Sequence, residues 1–113
     1  MIVDERLVTY INSLDKGNTP ILDTIEREAL DTYVPIIRKE MQSFLKLLLA
    51  MTCPKRILEV GAAVGFSSIL MAEYAPEACE IVTIENYEKR IPIARENFKR
   101  AGKDEQITLL EGD

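Results

Sequence analysis

Residues 57–68, which read ILEVGAAVGFSS, combine the residue types of a ligand-binding loop. An apolar run closes on Glu59, two glycines stand four apart at Gly61 and Gly65, and Ser67 falls in the first turn of a predicted helix. A glycine loop between a strand and a helix lets a ligand approach bare backbone, and the positive end of the helix favours an anion. We therefore predict that Gly61, Gly65 and Ser67 contact a ligand and that Glu59 accepts from a cationic group on it.

A second carboxylate closes the next predicted strand. Glu85 ends the β-branched run 80–85, twenty residues after Gly65. At that point of a parallel sheet, an acidic side chain commonly accepts both hydroxyl groups of a ribose. The alternative for Glu85 is a polar strand end without a ligand, and the alternative for Ser67 is helix capping.

The spacing of the glycines separates two classes of cofactor. A dinucleotide loop follows the pattern G-x-G-x-x-G, whereas Ala63 stands here in place of the middle glycine, and its methyl group would crowd a pyrophosphate. S-adenosylmethionine (SAM) presents a carboxylate and an ammonium group instead, and Glu59 suits the ammonium, directly or through water. A helical prelude of about fifty residues also favours SAM, since a dinucleotide domain generally begins with its first strand.

Alternating strands and helices are predicted after this prelude. Helices are expected at 3–14, 20–33, from 36 or 38 to 52, 66–75 and 87–101, and strands at 56–60, 80–85 and 106–110. Strand, helix, strand, helix, strand is one half of a doubly wound sheet, in which ligands bind beyond the carboxyl ends of the strands. We therefore predict an α/β fold in which residues 1–54 form a helical N-terminal region. Residues 55–113 then form the first, truncated βαβαβ half of a Rossmann-like domain, with strand order 3-2-1.

The ends and faces of the helices are predicted from capping signals and apolar spacing. Thr19 is expected to cap the second helix and Asn86 the last one, while Pro92 either kinks that helix or delays its start. The third helix could cover the cofactor cleft with Met41 and Gln42 near the methionine end, although core packing is the alternative for Met41. The apolar faces are assigned to Val3, Leu7, Ile11 and Leu14 in the first helix and to Met41, Phe44, Leu45, Leu48 and Leu49 in the third.

The composition describes an acidic globular protein without histidine. The 113 residues carry a net charge of −5, with 47% hydrophobic and 29% charged residues. Acid–base or metal chemistry would therefore fall to carboxylates, lysine, tyrosine or cysteine, and the negative charge disfavours nucleic acid as a partner of the whole segment. The longest apolar run, 47–51, is too short to cross a membrane. The acidic N-terminus and two reduced thiols, Cys53 and Cys79, lead us to expect a cytoplasmic protein.

Four segments resemble a known enzyme family: PIIRKEMQSFLKLLLAMTCPKRILEVGAAVGFSSILMAEYAP, IVTIE, IARENFKRAG and ITLLEGD. They are similar to the cation-dependent SAM O-methyltransferases that include caffeoyl-CoA and catechol O-methyltransferases. The nearest subgroup is the bacterial tRNA 5-hydroxyuridine methyltransferases. The similarity is good over residues 35–113 and loose over the first two helices. It implies SAM contacts at Met41 or Gln42, Glu59, Gly61, Ser67 and Glu85, with Asp113 near the adenine amine.

The same resemblance implies a catalytic divalent cation, Mg²⁺, held by an Asp/Asp/Asn set that positions two adjacent substrate oxygens. In the family these ligands lie on strands that follow the EGD motif, and here Asp113 ends the sequence. No earlier Asp or Glu occupies a matching position. We therefore assign no catalytic or metal-binding residue and expect this polypeptide to be inactive by itself.

Three functions are carried forward from the sequence. The first is a fragment of a SAM-dependent O-methyltransferase acting on a tRNA 5-hydroxyuridine or on a small catechol-like diol. The second is a non-enzymatic SAM- or nucleotide-binding module, and the third is a dinucleotide-binding half-domain of an oxidoreductase. The basic helix 87–101 is a conceivable tRNA surface, but Glu88 and Glu96 interrupt it, which favours a solvated face.

The strand at 56–61 is expected to be an unpaired apolar edge. In the resembled family that strand is interior to the sheet, and an exposed edge of this kind recruits another chain. We therefore expect a homo-oligomer formed through this strand, with SAM as the small-molecule partner and no membrane contact. The alternative is that loop or helix residues fold back over the edge.

Overall fold

The computed structural model describes residues 4–14 and 16–113, so Val3, predicted on the apolar face of the first helix, lies outside the described residues. Eight elements follow one another in the predicted order. They are α1 (Glu5–Leu14), α2 (Pro20–Asp31), α3 (Lys39–Thr52), β1 (Arg56–Val60), α4 (Phe66–Tyr74), β2 (Glu80–Glu85), α5 (Ile91–Arg100) and β3 (Ile107–Glu111). None of these described helices has the length and apolar character needed to cross a membrane.

The strands form a parallel sheet in the order β1-β2-β3, which confirms the predicted fold class and strand order. Glu59 lies opposite Thr83 across β1 and β2, and Glu85 lies opposite Glu111 across β2 and β3. The carboxyl ends of the strands therefore meet at one edge, where the glycine loop leaves β1.

The two faces of the sheet differ in burial. α4 and α5 pack against the sheet, and Ile81, Thr83 and Ile107 are buried on the face beneath them. On the opposite face, Leu58 is 67% exposed and Val60 is 81% exposed. Among the described strands β1 pairs with β2 alone, so its other edge and this apolar face are both accessible.

The core joins the helical region to the sheet region. α4 lies at its centre, with Ile69 and Leu70 completely buried, and α2 adds Leu22 and Ile25 from the other side. The run of consecutive buried residues from Ser68 to Ala72 explains this position, since a helix that is buried on several sides needs neighbours all round.

The predicted apolar faces of α1 and α3 are wrong in part. Leu7 and Leu14 are exposed, and in α3 Met41, Phe44 and Leu48 are exposed as well. Val8 and Gln42 are buried instead. The reason is that α1 contacts chiefly α3, and α3 contacts α1 and α4, so the available neighbours cover only part of each apolar stripe.

Two capping predictions are also corrected. α5 begins at Ile91 after Arg90, so Asn86 is not its cap, and Pro92 lies in the first turn, where its missing N–H leaves no bond unmade. Pro92 therefore delays the start of the helix. Thr19 does occupy the N-cap position of α2, but its hydroxyl donates to the Glu73 carboxylate and not to the helix backbone.

Candidate functional site

The glycine loop runs from the end of β1 to the start of α4 with a left-handed backbone at three positions. Gly61 has φ +97°, Ala63 has φ +50° and Gly65 has φ +90°. The strained residue is Ala63, because a side chain with a Cβ disfavours this region by about 1–2 kcal/mol. The sequence identified Ala63 as the departure from a dinucleotide loop, and the structure shows that the departure coincides with an unusual backbone conformation.

Glu85 holds the loop at this strained residue. Its carboxylate accepts from Ala63 N at 2.6 Å, from Asn86 N at 3.1 Å and from Tyr87 N at 3.0 Å, and its side chain is buried. The position at the end of β2 brings Glu85 to the loop because parallel strands end at the same edge. The structure therefore brings Glu85 to the loop, and its contact with the hydroxyl groups of a ribose remains a prediction.

Glu59 is enclosed by hydroxyl groups. Ser67 Oγ donates to Glu59 Oε2 at 2.5 Å, Thr83 Oγ1 donates to Glu59 Oε1 at 2.7 Å, and Ser68 Oγ donates to the same Oε1. These donors replace much of the solvation that a carboxylate loses at a strand end. The hydroxyl of Ser67 thus binds Glu59 and does not cap the helix. Glu59 Oε2 can still accept a second hydrogen bond.

Ser68 and Thr83 are participants that the sequence reasoning missed. Both are completely buried. A signal for Thr83 was available, since a parallel register places it directly opposite Glu59 on the neighbouring strand. Ser68 had only its place in the first turn of α4 as a signal.

A cavity of about 300 Å³ lies beside the loop. Ser67 and Ala63, which line it, hydrogen-bond to Glu59 and Glu85, so each carboxylate stands directly behind the cavity wall. None of the described residues that line it is Lys or Arg. The lining consists of Pro35, Ile36, Ile37, Gly61, Ala62, Ala63, Val64, Phe66 and Ser67.

A larger cavity, of about 460 Å³, lies between α1 and α3 and includes Leu14, Phe44 and Tyr74 in its wall. None of its described lining residues hydrogen-bonds to Glu59 or Glu85, whereas two lining residues of the smaller cavity do. The position at the glycine loop, beyond the carboxyl ends of the strands, therefore places the candidate site at the smaller cavity.

The remaining predicted contacts lie at different distances from this cavity. Gln42 is buried and its amide donates to Ile37 O at 2.9 Å and to Glu26, so it anchors the segment that lines the cavity without lining it. Met41 is exposed, outside the lining. Asp113 is exposed beyond β3 and accepts from Asn86 Nδ2, next to the Glu85 turn. The segment 35–37 itself was not predicted as part of the site.

Gly65 has an internal reason to be glycine. A Cβ at this position would stand 2.6 Å from Phe98 Cε1 of α5, whereas a Cβ on Gly61 would meet nothing within 4 Å. The close approach of α5 to the loop therefore requires glycine at position 65. The predicted approach of a ligand to Gly65 remains a prediction.

A family model described as O-methyltransferase matches residues 12–113 of the chain. The chain belongs to the O-methyltransferase family. The resemblance to catechol- and caffeoyl-CoA-type enzymes read from the sequence is thereby confirmed.

Individual relatives agree with the family match. Catechol O-methyltransferase of Mycobacterium tuberculosis is 30% identical over 105 residues, which cover 91% of this chain and 48% of the relative. The SAH-bound methyltransferase PaMTH1 of Podospora anserina has a TM-score of 0.82 at 28% identity, covering 100% of this chain and 52% of that one. The O-methyltransferase TomG of Streptomyces achromogenes, solved with SAM, has a TM-score of 0.80 at 25% identity, covering 100% and 53%. The chain thus spans about half the length of the relatives it matches.

Proposed function

We propose that this chain forms the SAM-binding part of an O-methyltransferase that methylates a hydroxyl group. One observation carries the proposal: two carboxylates, Glu59 and Glu85, stand behind a cavity whose described lining has no basic side chain. A pyrophosphate would be repelled there, whereas a sulfonium and an ammonium group would be attracted. SAM- and SAH-bound relatives of the same fold support this choice of ligand over a dinucleotide and over the oxidoreductase alternative.

Different residues of the chain would bind different groups of SAM. Glu85 would accept from the ribose hydroxyls, and Glu59 would accept from the ammonium, through the free capacity of Oε2 or through water. Gly61 and Gly65 would keep the loop backbone accessible, and Ser67 would contact the carboxylate end at the start of α4.

The remaining predicted contacts flank that ligand. Asp113 would lie near the adenine amine, on the Asn86 side of the site. Met41 and Gln42 would act at the methionine end. For Gln42 the support is its hydrogen bond to Ile37 O, which fixes an apolar wall of the cavity. SAM, when bound, supplies an electrophilic methyl group, and an apolar wall would exclude water from it.

The methyl acceptor is proposed to be a small catechol-like diol. The catechol O-methyltransferase relative supports this choice. A tRNA 5-hydroxyuridine is the second candidate, and the basic helix α5 offers it limited support, because Arg95 pairs with Glu111 at 3.5 Å and Arg100 pairs with Glu28 at 2.8 Å. The test uses a protein in which this chain is joined to the metal-binding strands of the family. Incubation of that protein with methyl-labelled SAM and either a catechol or a tRNA that carries unmethylated 5-hydroxyuridine separates the two acceptors by the labelled product.

The family's magnesium ion is not assigned to residues of this chain. Within residues 4–14 and 16–113, no group of three or more His, Cys, Asp or Glu side chains is arranged to hold a metal ion. We derive no catalytic step through a cation here. A cytoplasmic location is also part of the proposal and rests on the two free thiols, Cys53 and Cys79.

We further propose that two copies of the chain associate through β1. The support is that β1 pairs only with β2 among the described strands and that the side chains of Leu58 and Val60 are exposed, so the strand has one unpaired edge and an apolar face.

Calorimetric titration of the chain with SAM, SAH and NAD tests the cofactor directly. SAM and SAH are expected to bind at one site per chain, and NAD is expected not to bind, because its phosphates would face Glu59 and Glu85. Tighter binding of NAD than of SAM would overturn the proposal.

A further inference from the structure

Asn97 of α5 contacts the glycine loop from the protein interior. Its Nδ2 donates to Val64 O at 2.8 Å, and the residue is 3% exposed. Val64 stands between Ala63, whose N–H is bound by Glu85, and Gly65, which packs against α5. The loop is therefore held from two directions, by a carboxylate on its N–H side and by an amide on its carbonyl side.

Arg100, three residues further along α5, sets the orientation of that amide. Its Nη1 donates to Asn97 Oδ1 at 2.9 Å, and the guanidinium also donates to both carboxylate oxygens of Glu28, at 2.8 and 3.3 Å. A guanidinium only donates and a backbone carbonyl only accepts. One orientation of the Asn97 amide therefore satisfies both neighbours, and the opposite orientation satisfies neither.

Glu28 anchors this chain of bonds to α2. The hydrogen bond from Arg100 holds the pKa of Glu28 below its ordinary value, and the same bond raises the pKa of Arg100. Both groups are accordingly charged at neutral pH. The carboxylate of Glu28 on α2 thus holds the Arg100 guanidinium. The guanidinium orients the Asn97 amide, and that amide holds the Val64 carbonyl of the loop.

We propose that Glu28, Arg100 and Asn97 act as a positioning clamp that holds the glycine loop in its ligand-binding shape. The inference rests on the proposed function, because it assumes that the loop binds SAM. None of the three residues lines the cavity, so their effect on the ligand would pass through the Val64 carbonyl. Without the amide donor, that carbonyl loses its partner in a buried site and the left-handed conformations at Ala63 and Gly65 lose a constraint.

Asn97→Asp removes the donor with almost no change in size. The new carboxylate can still accept from Arg100, but it faces the Val64 carbonyl with an oxygen in place of an N–H. We expect faster hydrogen exchange of the amides of residues 62–66 and SAM affinity about tenfold weaker. Asn12→Asp, the same change on an exposed residue of α1, is the control and should alter neither quantity.

A charge exchange separates positioning from plain stabilisation. Glu28→Arg combined with Arg100→Glu restores an ion pair between α2 and α5, but the new carboxylate at position 100 draws the Asn97 Nδ2 away from Val64. The double variant should therefore recover thermal stability relative to Arg100→Glu alone while its loop amides still exchange rapidly. If the clamp acted only through the ion pair, the double variant would recover both thermal stability and slow exchange of the loop amides.

The outcomes decide the proposal independently of the cofactor. Rapid exchange of the loop amides in Asn97→Asp and in the charge-exchanged double variant supports the clamp, whether or not the unaltered chain binds SAM. Failure of the unaltered chain to bind SAM would contradict only the proposed function. Loop exchange equal to that of the unaltered chain in Asn97→Asp overturns the clamp. So does full recovery of slow exchange in the exchanged pair. If the double variant does not fold, Asn97→Asp decides by itself.

Discussion

Single residues around the glycine loop combine proposed ligand contacts with internal hydrogen bonds and packing. Glu59 and Glu85 are the acids expected to meet a ligand, yet each is already engaged, Glu59 by hydroxyls that include Thr83 and Glu85 by the N–H of Ala63. Such engagement orients the carboxylates before a ligand arrives, so less side-chain entropy is lost on binding. Gly65, at the end of the glycine loop, has a packing role as well, because it accommodates Phe98 of α5.

A matched pair of glycine substitutions tests this internal role. Gly61→Ala and Gly65→Ala introduce comparable backbone strain, because both residues have φ near +90°. Only the second places a Cβ against Phe98. Gly65→Ala is therefore expected to lower the free energy of unfolding by about 1–3 kcal/mol more than Gly61→Ala, measured by urea denaturation. Addition of Phe98→Leu to Gly65→Ala should recover part of the loss, and equal destabilisation by the two glycine substitutions would contradict the packing role.

At the scale of elements, strand ends were easier to predict than helix faces. Pro54 and Gly61 bracket β1, so its limits follow from residues that cannot continue a strand or that leave it. The face of a helix depends on which neighbours reach it, and that information is not local. Gln42 is buried in α3 because its side-chain amide hydrogen-bonds to Asn18, Glu26 and the backbone carbonyl of Ile37. The apolar periodicity of the helix does not predict these partners.

Some residues of the candidate site were likewise predictable from local sequence and others were not. Glu59, Gly61 and Glu85 were predictable because they stand at strand ends and in a glycine pattern. Ser68 and residues 35–37 were not, since their place in the site arises from packing between parts of the chain that are distant in sequence. The clamp residue Asn97 had no signal beyond its position on a predicted helix.

The pairing of α2 with α5 carries a pH dependence whose sign follows from the lowered pKa of Glu28. A carboxyl group with a lowered pKa in the folded protein stabilises it fully above its ordinary pKa, 4.5, and this contribution is lost as the pH falls through the lowered value. Glu28→Gln should therefore reduce the free energy of unfolding at pH 7 by at most about 1 kcal/mol, because the carboxylate is 53% exposed.

Urea denaturation at several pH values measures this effect. The difference between the unaltered chain and Glu28→Gln should shrink towards zero as the pH falls through the lowered pKa of Glu28. Glu77→Gln, the same change on an exposed side chain outside the clamp, is the control. A difference that begins to shrink while the pH is still above the ordinary pKa of a glutamate, 4.5, would show that the Arg100 pair is not its source.

At the scale of the whole molecule, the exposed face of the sheet is the least covered part of the structure. Parallel sheets are normally buried on both faces, yet Leu58, Val60 and Leu110 are exposed on this one. The chain also covers about half of the relatives it matches, such as 48% of the Mycobacterium tuberculosis enzyme. The exposed apolar face is the observation that supports the proposed association through β1.

Association through β1 can be tested with a charge at its edge. Val60→Lys should convert a dimer of the 12.8 kDa chain to a monomer in light scattering, because a lysine on an exposed strand edge disfavours pairing. Tyr33→Lys, at an exposed residue outside the sheet, should leave the dimer intact. A stable monomer of the unaltered chain at micromolar concentration would contradict the proposed self-association.

The central claim, that the carboxyl ends of β1 and β2 form a SAM site, is tested most directly by NMR titration of the ¹⁵N-labelled chain with SAM. We expect amide shifts at residues 61–67 and 85–87, with smaller shifts at Ile36 and Ile37, and no change around the apolar cavity between α1 and α3. Shifts centred on Leu14 and Phe44, or no shift at the loop with SAM at millimolar concentration, would contradict the account.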